Sequence, residues 1–226
     1  MLSVIIPCFN ESKKVFTTLD SIAKWLQENE IEYEILLVNN GSTDDTFIKF
    51  NKSVKNPKIS IIEESIRGKG YAIKRGLEEC SFNKVLIIDT DMSVDISQIE
   101  KSWFSQDESL IIGSRKIGIQ KGTPVRRQFA GNFLNSLIRK VFKLNIYDTQ
   151  CGFKFLNSEK VKIISSQLTV DGFMYDLDLI MSCIQNKINV SEVPISYRHD
   201  SSSSVSLLRD PIIMLRDLFK IYTKFN

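Results

Sequence analysis

The chain has 226 residues, 42% of them hydrophobic, which is enough for a sizeable buried core. Lys and Arg number 30 against 27 Asp and Glu, and the resulting charge of +3 gives no sign of a nucleic-acid partner. Four widely spaced cysteines without a CxxC pair, and a single histidine, argue against a zinc site and for reduced thiols. With no basic leader and no apolar run of the ~20 residues that cross a bilayer, a cytoplasmic chain that does not span a membrane is expected.

The first half alternates between two periodicities. "LSVIIPC" reads as a strand, and Ser12 then caps a helix through about Glu28. "YEILLVN" is a second strand, after which Ser42 or Thr43 opens another helix. "KISIIEE" is a third strand, followed by a helix starting at "GKGYAIKRGLEEC". "KVLIID" is the fourth strand, and after a short helix "SLIIGSR" is the fifth. Strands that are apolar at consecutive positions, alternating with amphipathic helices, predict an α/β fold: a mostly parallel sheet covered on both faces.

Beyond the Gly/Pro break at "QKGTP", "RRQFAGNFLNSLIRKVF" predicts a long helix with a basic start. "DTQCGFKFL" reads as a loop feeding a short strand, and "GFMYDLDLIMSCIQN" as a loop feeding a buried helix. "NVSEVPISYRHD" is a last strand broken by Pro194. "VSLLRDPIIMLRDLFKIYTKF" is an amphipathic C-terminal helix. That helix packs on the domain or a twin subunit, or lies in a membrane interface with its cations toward anionic lipid.

Ligands of open parallel sheets sit beyond the carboxyl ends of the strands. Those ends carry Asn10-Glu11, Asn39-Asn40, Arg67-Gly68-Lys69-Gly70, Asp89-Thr90-Asp91 and Ser114-Arg115. Asp89 and Asp91, alternate residues of an extended segment, share a face and suit a hard cation such as Mg²⁺ or Mn²⁺. An Asx-turn with Asp95 or Ser97 as a helix cap explains the triplet equally well. "RGKG" is a helix start able to receive an anion, although an ordinary strand–helix turn is the simpler account. "NNGSTDDT" is turn chemistry whose amides can also read a base or ribose.

The ordered set "VIIPCFNES", "EILLVNNGSTDDT", "RGKGYAIKRGL", "LIIDTDMS" and "IIGSR" resembles the inverting, nucleotide-sugar-dependent glycosyltransferases of family 2, with their GT-A fold. "DTQCGFKFL", "FMYDLDL", "VPISYRH" and "SLLRDPIIMLRDL" narrow the resemblance to the dolichyl- and polyprenyl-phosphate glucose and mannose transferases. It implies a single domain over 1–226: a nucleotide-sugar-binding half (1–115), an acceptor-binding half (116–204) and the C-terminal amphipathic helix (205–226). It also implies a UDP-glucose or GDP-mannose donor, a polyprenyl-phosphate acceptor, Mg²⁺ or Mn²⁺, peripheral contact with the cytoplasmic face of a membrane, and a homodimer as one option.

By position, the resemblance places Pro7, Phe9 and Glu11 along the base and ribose. Val38 and Lys69 join the substrate-binding set. Asn40 stands where the family has the second Asp of "DDGS", and Asn39 replaces the first. Asp89, Thr90 and Asp91 match the nucleotide-sugar and metal motif, with Asp91 as the direct metal ligand and Asp89 beside it. Arg115 matches a donor-contacting cation. Ser203-Ser204 occupy a place where the group often has Lys, which hands the donor phosphates to Arg198 or His199. A phosphate acceptor is already a nucleophile and needs cations, which Arg126, Arg127, Arg139 and Lys140, or Arg115 and Lys116, can supply. A saccharide hydroxyl acceptor would need a base, sought at Asp148 first, then Asp176 or Asp178. A non-catalytic scaffold that binds nucleotide sugars is the third option.

Overall fold

The computed structural model describes residues 1–199 and 210–225. In chain order the elements are β1 (Leu2–Cys8), α1 (Val15–Glu28), β2 (Tyr33–Asn39), α2 (Thr46–Ser53), β3 (Ile59–Glu63), α3 (Lys69–Glu79) and β4 (Lys84–Ile87). Two 3₁₀ turns, Ile96–Gln98 and Lys101–Ser105, lead into β5 (Ser109–Lys121) and α4 (Val125–Phe142). Then follow β6 (Lys154–Asn157), α5 (Val161–Gln167), α6 (Tyr175–Gln185), β7 (Asn189–Arg198) and α7 (Asp210–Phe225).

All seven strands among the described residues join one sheet in the order β3-β2-β1-β4-β6-β5-β7. The sheet is parallel except for β6, which lies antiparallel to both β4 and β5. Val4, Ile5, Ile6, Ile35, Leu37, Val85, Leu86 and Ile87 are all fully buried, because helices cover both faces of the central strands. Helix α1 places Val15, Leu19, Ile22 and Leu26 in this core at helical spacing. A second cluster joins Ile138 and Phe142 of α4, Met174 and Leu177 at the start of α6, and Leu218 and Ile221 of α7.

The structure moves three of the sequence-based element boundaries. Helix α1 starts at Val15 rather than after Ser12, whose backbone N–H donates to Asp44 Oδ2 at 3.2 Å. Helix α2 starts at Thr46, not at Ser42 or Thr43; Asp44 Oδ1 accepts from the Thr46 N–H at 3.0 Å and from its hydroxyl at 2.5 Å. Strand β5 runs on to Lys121, so the division at 115/116 falls inside a strand. Its register with β7 shifts between Ser114 and Ile119, the stretch that holds Arg115. Helix α5 has no counterpart in the sequence reading. Ser203, Ser204 and the first residues of the predicted C-terminal helix lie outside the described residues.

Candidate active site

The carboxyl ends of β1, β2 and β4, with the loops around β5–β7, form one polar rim. Asp89 and Asp91 follow β4, but pleating does not align them. Met92 N–H donates to the Asp89 carbonyl at 3.2 Å, with Met92 at φ +45°, so the two carboxylates sit in a tight turn. The turn nonetheless brings both to one small cavity of about 20 Å³, also lined by Ser93, Cys151, Gly152 and Tyr197. The Asx-turn reading is realised as well, since Asp91 Oδ1 accepts from Ser93 N–H at 2.9 Å. Asp95 caps the first 3₁₀ turn through Ser97 N–H at 2.8 Å, and so serves structure. Burial raises the Asp91 carboxyl above its usual range, with the Asp89 charge adding to the effect.

Lys69, at the first turn of α3, pairs its Nζ with Asp89 Oδ1 at 2.6 Å. Burial pulls the Lys69 ammonium down, but Asp89 and Asp176 outweigh it and hold it above its usual value. The glycines flanking this lysine serve the chain rather than a ligand. A Cβ on Gly70 would overlap the Val170 carbonyl oxygen and lie 2.8 Å from the Asp171 carbonyl carbon, and one on Gly68 would overlap the Asp171 oxygen. Gly70 N–H donates to Asp171 O at 2.9 Å, satisfying a helix-start donor that the sequence reading offered to an anion. Gly152 is equally constrained, because a Cβ there would lie 2.7 Å from the Asp89 carboxyl carbon.

The two asparagines after β2 are held by their amides. Asn39 Nδ2 donates to both Glu63 carboxylate oxygens, at 3.0 and 3.1 Å. Asn40 donates to Ile66 O at 2.7 Å and accepts from Gly68 N–H at 2.7 Å, linking β2 to the "RGKG" turn. An aspartate at 40 could not make the first of these bonds, and one at 39 would face Glu63 as a like charge. Phe9 lies under the Arg67 guanidinium, 4.2 Å from ring to Cζ, closing that side of the rim. Pro7 and Glu11 are half-buried at the same edge. Val38 is fully buried in β2, which leaves only its backbone for a ligand. Thr90 is buried too; its carbonyl accepts from the Thr18 hydroxyl at 2.7 Å.

On the other side, Arg115 and Asp148 form a two-pronged ion pair, Nε to Oδ2 at 2.7 Å and Nη2 to Oδ1 at 2.8 Å. Arg115 N–H adds a third bond at 3.0 Å. Asp148 is 0% exposed, and Glu192 fixes its loop by accepting from the Tyr147 and Asp148 N–H groups at 2.6 and 2.7 Å. Burial would raise the Asp148 carboxyl, but the Arg115 bonds and charge hold it below the ordinary range. The two aspartates of "FMYDLDL" are likewise paired. Asp176 meets the buried Lys154, and Asp178 meets Lys224 of α7 at 2.6 Å while accepting from Thr169 and Val170 N–H at 2.6 and 3.0 Å.

Arg198 ends β7 and His199 follows it. The Arg198 N–H donates to Ser93 O at 2.8 Å, tying that end to the loop after Asp91, and the His199 N–H donates to Lys121 O at the end of β5 at 2.9 Å. Sequence reasoning missed Lys154, Tyr175 and Gly152. Lys154 is a cation inside an apolar strand, and Tyr175 presents its ring 5.6 Å from Lys69 Nζ. The lysine in "CGFKFL" was the available signal: a charge at a core position demands a buried partner.

A carboxylate turn, a lysine at a helix start and a clamped arginine all lie at the carboxyl rim of a mostly parallel sheet, the place where α/β enzymes of this architecture bind their ligands. The fold matches that of glucosyl-3-phosphoglycerate synthase from Mycobacterium tuberculosis, crystallised with Mn²⁺ and uridine-diphosphate-glucose. The TM-score is 0.68 at 17% identity, over 100% of this chain and 79% of that one. Residues 3–164 match Glycosyl transferase family 2, and the chain belongs to that family of glycosyltransferases. It is 29% identical to the dolichyl-phosphate beta-glucosyltransferase of Saccharomyces cerevisiae, over 96% of this chain and 72% of the relative. It is 30% identical to a dolichyl-phosphate beta-glucosyltransferase of Trichomonas vaginalis, over 98% of this chain and 71% of the relative.

Proposed function

We propose that this glycosyltransferase moves glucose from UDP-glucose to a dolichyl-type polyprenyl phosphate, with inversion, as a peripheral protein on the cytoplasmic face of a membrane. One observation carries the choice of acceptor. Asp148, Asp176 and Asp178, the carboxylates from which a hydroxyl acceptor would draw its base, are each buried in an ion pair with Arg115, Lys154 or Lys224. Asp148, held below the ordinary range by Arg115, is a poor proton acceptor, Asp176 and Asp178 are already bonded to Lys154 and Lys224, and a phosphate acceptor requires no base. Its oxygen attacks the sugar C1 as the C1–O bond to the diphosphate breaks, and UDP leaves with the electron pair. The names of the relatives support glucose and a lipid phosphate.

Within this reading, Asp148 positions rather than deprotonates: it holds the Arg115 guanidinium toward the donor. Lys69, braced by Asp89, faces the diphosphate, and Asn39, Asn40, Phe9 and Glu11 border the nucleoside. Arg198 and His199 take the donor phosphates in this reading. The residues also fit Mg²⁺ or Mn²⁺. Asp91 is bonded through Oδ1 to the Ser93 N–H, and the buried Ser93 hydroxyl meets no partner within hydrogen-bond geometry among the described residues. No group of three His, Cys, Asp or Glu converges there among the described residues, so Asp91 and Asp89 would hold the ion together with substrate phosphates. When bound, such an ion offsets the charge that develops on the leaving diphosphate.

The test offers the purified protein UDP-glucose, GDP-mannose and a short polyprenyl phosphate with Mn²⁺ or Mg²⁺, product being read by mass. Glucosyl-phosphoryl lipid from UDP-glucose alone, lost in Asp91→Ala, is the expected result. Donor binding without lipid product, together with transfer to a saccharide, would overturn the acceptor.

A further inference from the structure

Helix α4 carries Val125, Phe129 and Phe133 on one line of its surface, at 79%, 77% and 70% exposure. Positions four apart share a helix face, and this one lies opposite Ile138 and Phe142, which pack into the second core cluster. Three large apolar side chains displayed so fully on a single stripe are costly to leave in water. The neighbouring end of β5 adds Ile117 and Ile119, also exposed.

The charge around the stripe identifies its occupant. From Ser109 to Tyr147 the chain has eight Lys or Arg and not one Asp or Glu, although the whole chain carries only +3. Lys121, Arg126, Lys140 and Lys143 in this stretch are exposed. Helix α7, which sets Tyr222 edge to face against Phe142 of α4 with ring centroids 6.2 Å apart, repeats the pattern. Leu215 and Phe219 are exposed beside the exposed Arg216 and Lys220, while the acid between them, Asp217, is buried. Two copies of so uniformly cationic a face repel each other, whereas an anionic lipid surface accepts both the aromatic rings and the charges.

We infer that α4, with Phe129 and Phe133 as its inserted side chains and α7 beside it, docks this protein on anionic lipid bilayers. The inference specifies the surface for the peripheral contact proposed above and rests on that part of the reading alone; it needs neither sugar transfer nor a particular acceptor. Its position is suited to the purpose. Lys116 Nζ, one residue beyond Arg115, donates to Asn132 of α4, and Arg139 of α4 lies 4.1 Å over the Tyr147 ring, next to Asp148. A helix seated in the interface therefore holds the Arg115–Asp148 clamp at the lipid headgroup level. Among the described residues no helix is long and apolar enough to cross a membrane, so this contact is with the surface.

Vesicle co-sedimentation without any sugar donor tests it, using phosphatidylcholine vesicles with and without phosphatidylserine. The wild type is expected to bind only the phosphatidylserine vesicles and to be released by high salt. Phe129→Ser/Phe133→Ser is expected to bind at least tenfold more weakly while keeping its circular dichroism spectrum and its turnover on a short, detergent-dispersed polyprenyl phosphate. Failure of the wild type to bind anionic vesicles overturns the proposal, as does a double variant that binds like the wild type. A wild-type dimer in solution that the double variant converts to monomer would assign the stripe to a second copy instead. Loss of transfer chemistry with vesicle binding intact would count against the acceptor reading, not against docking.

Discussion

Replacing Asp148 by Asn separates a positioning carboxylate from a catalytic base. The change keeps the shape of the side chain but turns one of its two accepting oxygens into a donor facing the Arg115 guanidinium. Two charge-assisted bonds, at 2.7 and 2.8 Å, are thereby weakened or lost inside a site where Asp148 has no exposed surface. Breaking a buried pair costs about 3–5 kcal/mol, and the low end applies because the Arg115 side chain remains 23% exposed. A loss of about 3 kcal/mol lowers the melting temperature of a chain of this size by about 6–12 °C. Turnover per encounter falls by about 10–100-fold, since a guanidinium freed from its clamp no longer aims at the donor.

The pH dependence follows from the same pair. The Asp148 carboxyl is depressed in the folded state, so its stabilising contribution is complete above the ordinary Asp value of about 3.9 and fades as pH falls through the lower folded value. The stability gap between wild type and Asp148→Asn is therefore constant near neutrality and closes only in strong acid. Thermal melts across pH, run beside donor titrations and initial rates, check each part. Turnover abolished with melting temperature and donor affinity unchanged would refute the positioning argument and restore Asp148 as a base.

Asn39→Asp returns the carboxylate that the family pattern has at this position and sets it against Glu63. Glu63 is exposed, so solvent screens the repulsion to about 1 kcal/mol; adding Glu63→Gln should recover the loss in a denaturant titration. A single variant as stable as wild type would mean the Asn39–Glu63 contact is not maintained in solution. Gly70→Ala forces a methyl group into the Val170 carbonyl and should cost about 1–3 kcal/mol while weakening donor binding through the displaced Lys69. Calorimetric binding and melting of this variant should therefore change together, and a variant that melts as wild type would show that the loop yields.

The central strands were legible because a strand buried on both faces must be apolar at consecutive positions, and "VII", "ILLV" and "VLII" have no other use for such runs. The rim was legible for the same reason, since polar residues at the ends of those runs have nowhere to go but the carboxyl edge. Local hydrogen-bond choices were not. Asp44 rather than Ser42 or Thr43 serves the start of α2, because the Ser42 and Thr43 hydroxyls are taken by Asn10 across the rim while the Asp44 carboxylate meets Thr46. The antiparallel insertion of β6 was also hidden, as a four-residue strand carries no mark of its direction.

By itself the sequence determined the α/β alternation, the set of rim residues and the family they resemble, because periodicity and motif order are local properties of the chain. Only the tertiary structure decided which charges neutralise each other. Asp148 finds Arg115 across 33 residues, Asp176 finds Lys154 across 22 and Asp178 finds Lys224 across 46. Burial makes each pairing obligatory, since an uncompensated charge in the core costs several kcal/mol. What remains for chemistry at the rim is therefore set by long-range packing, which no local stretch of residues encodes.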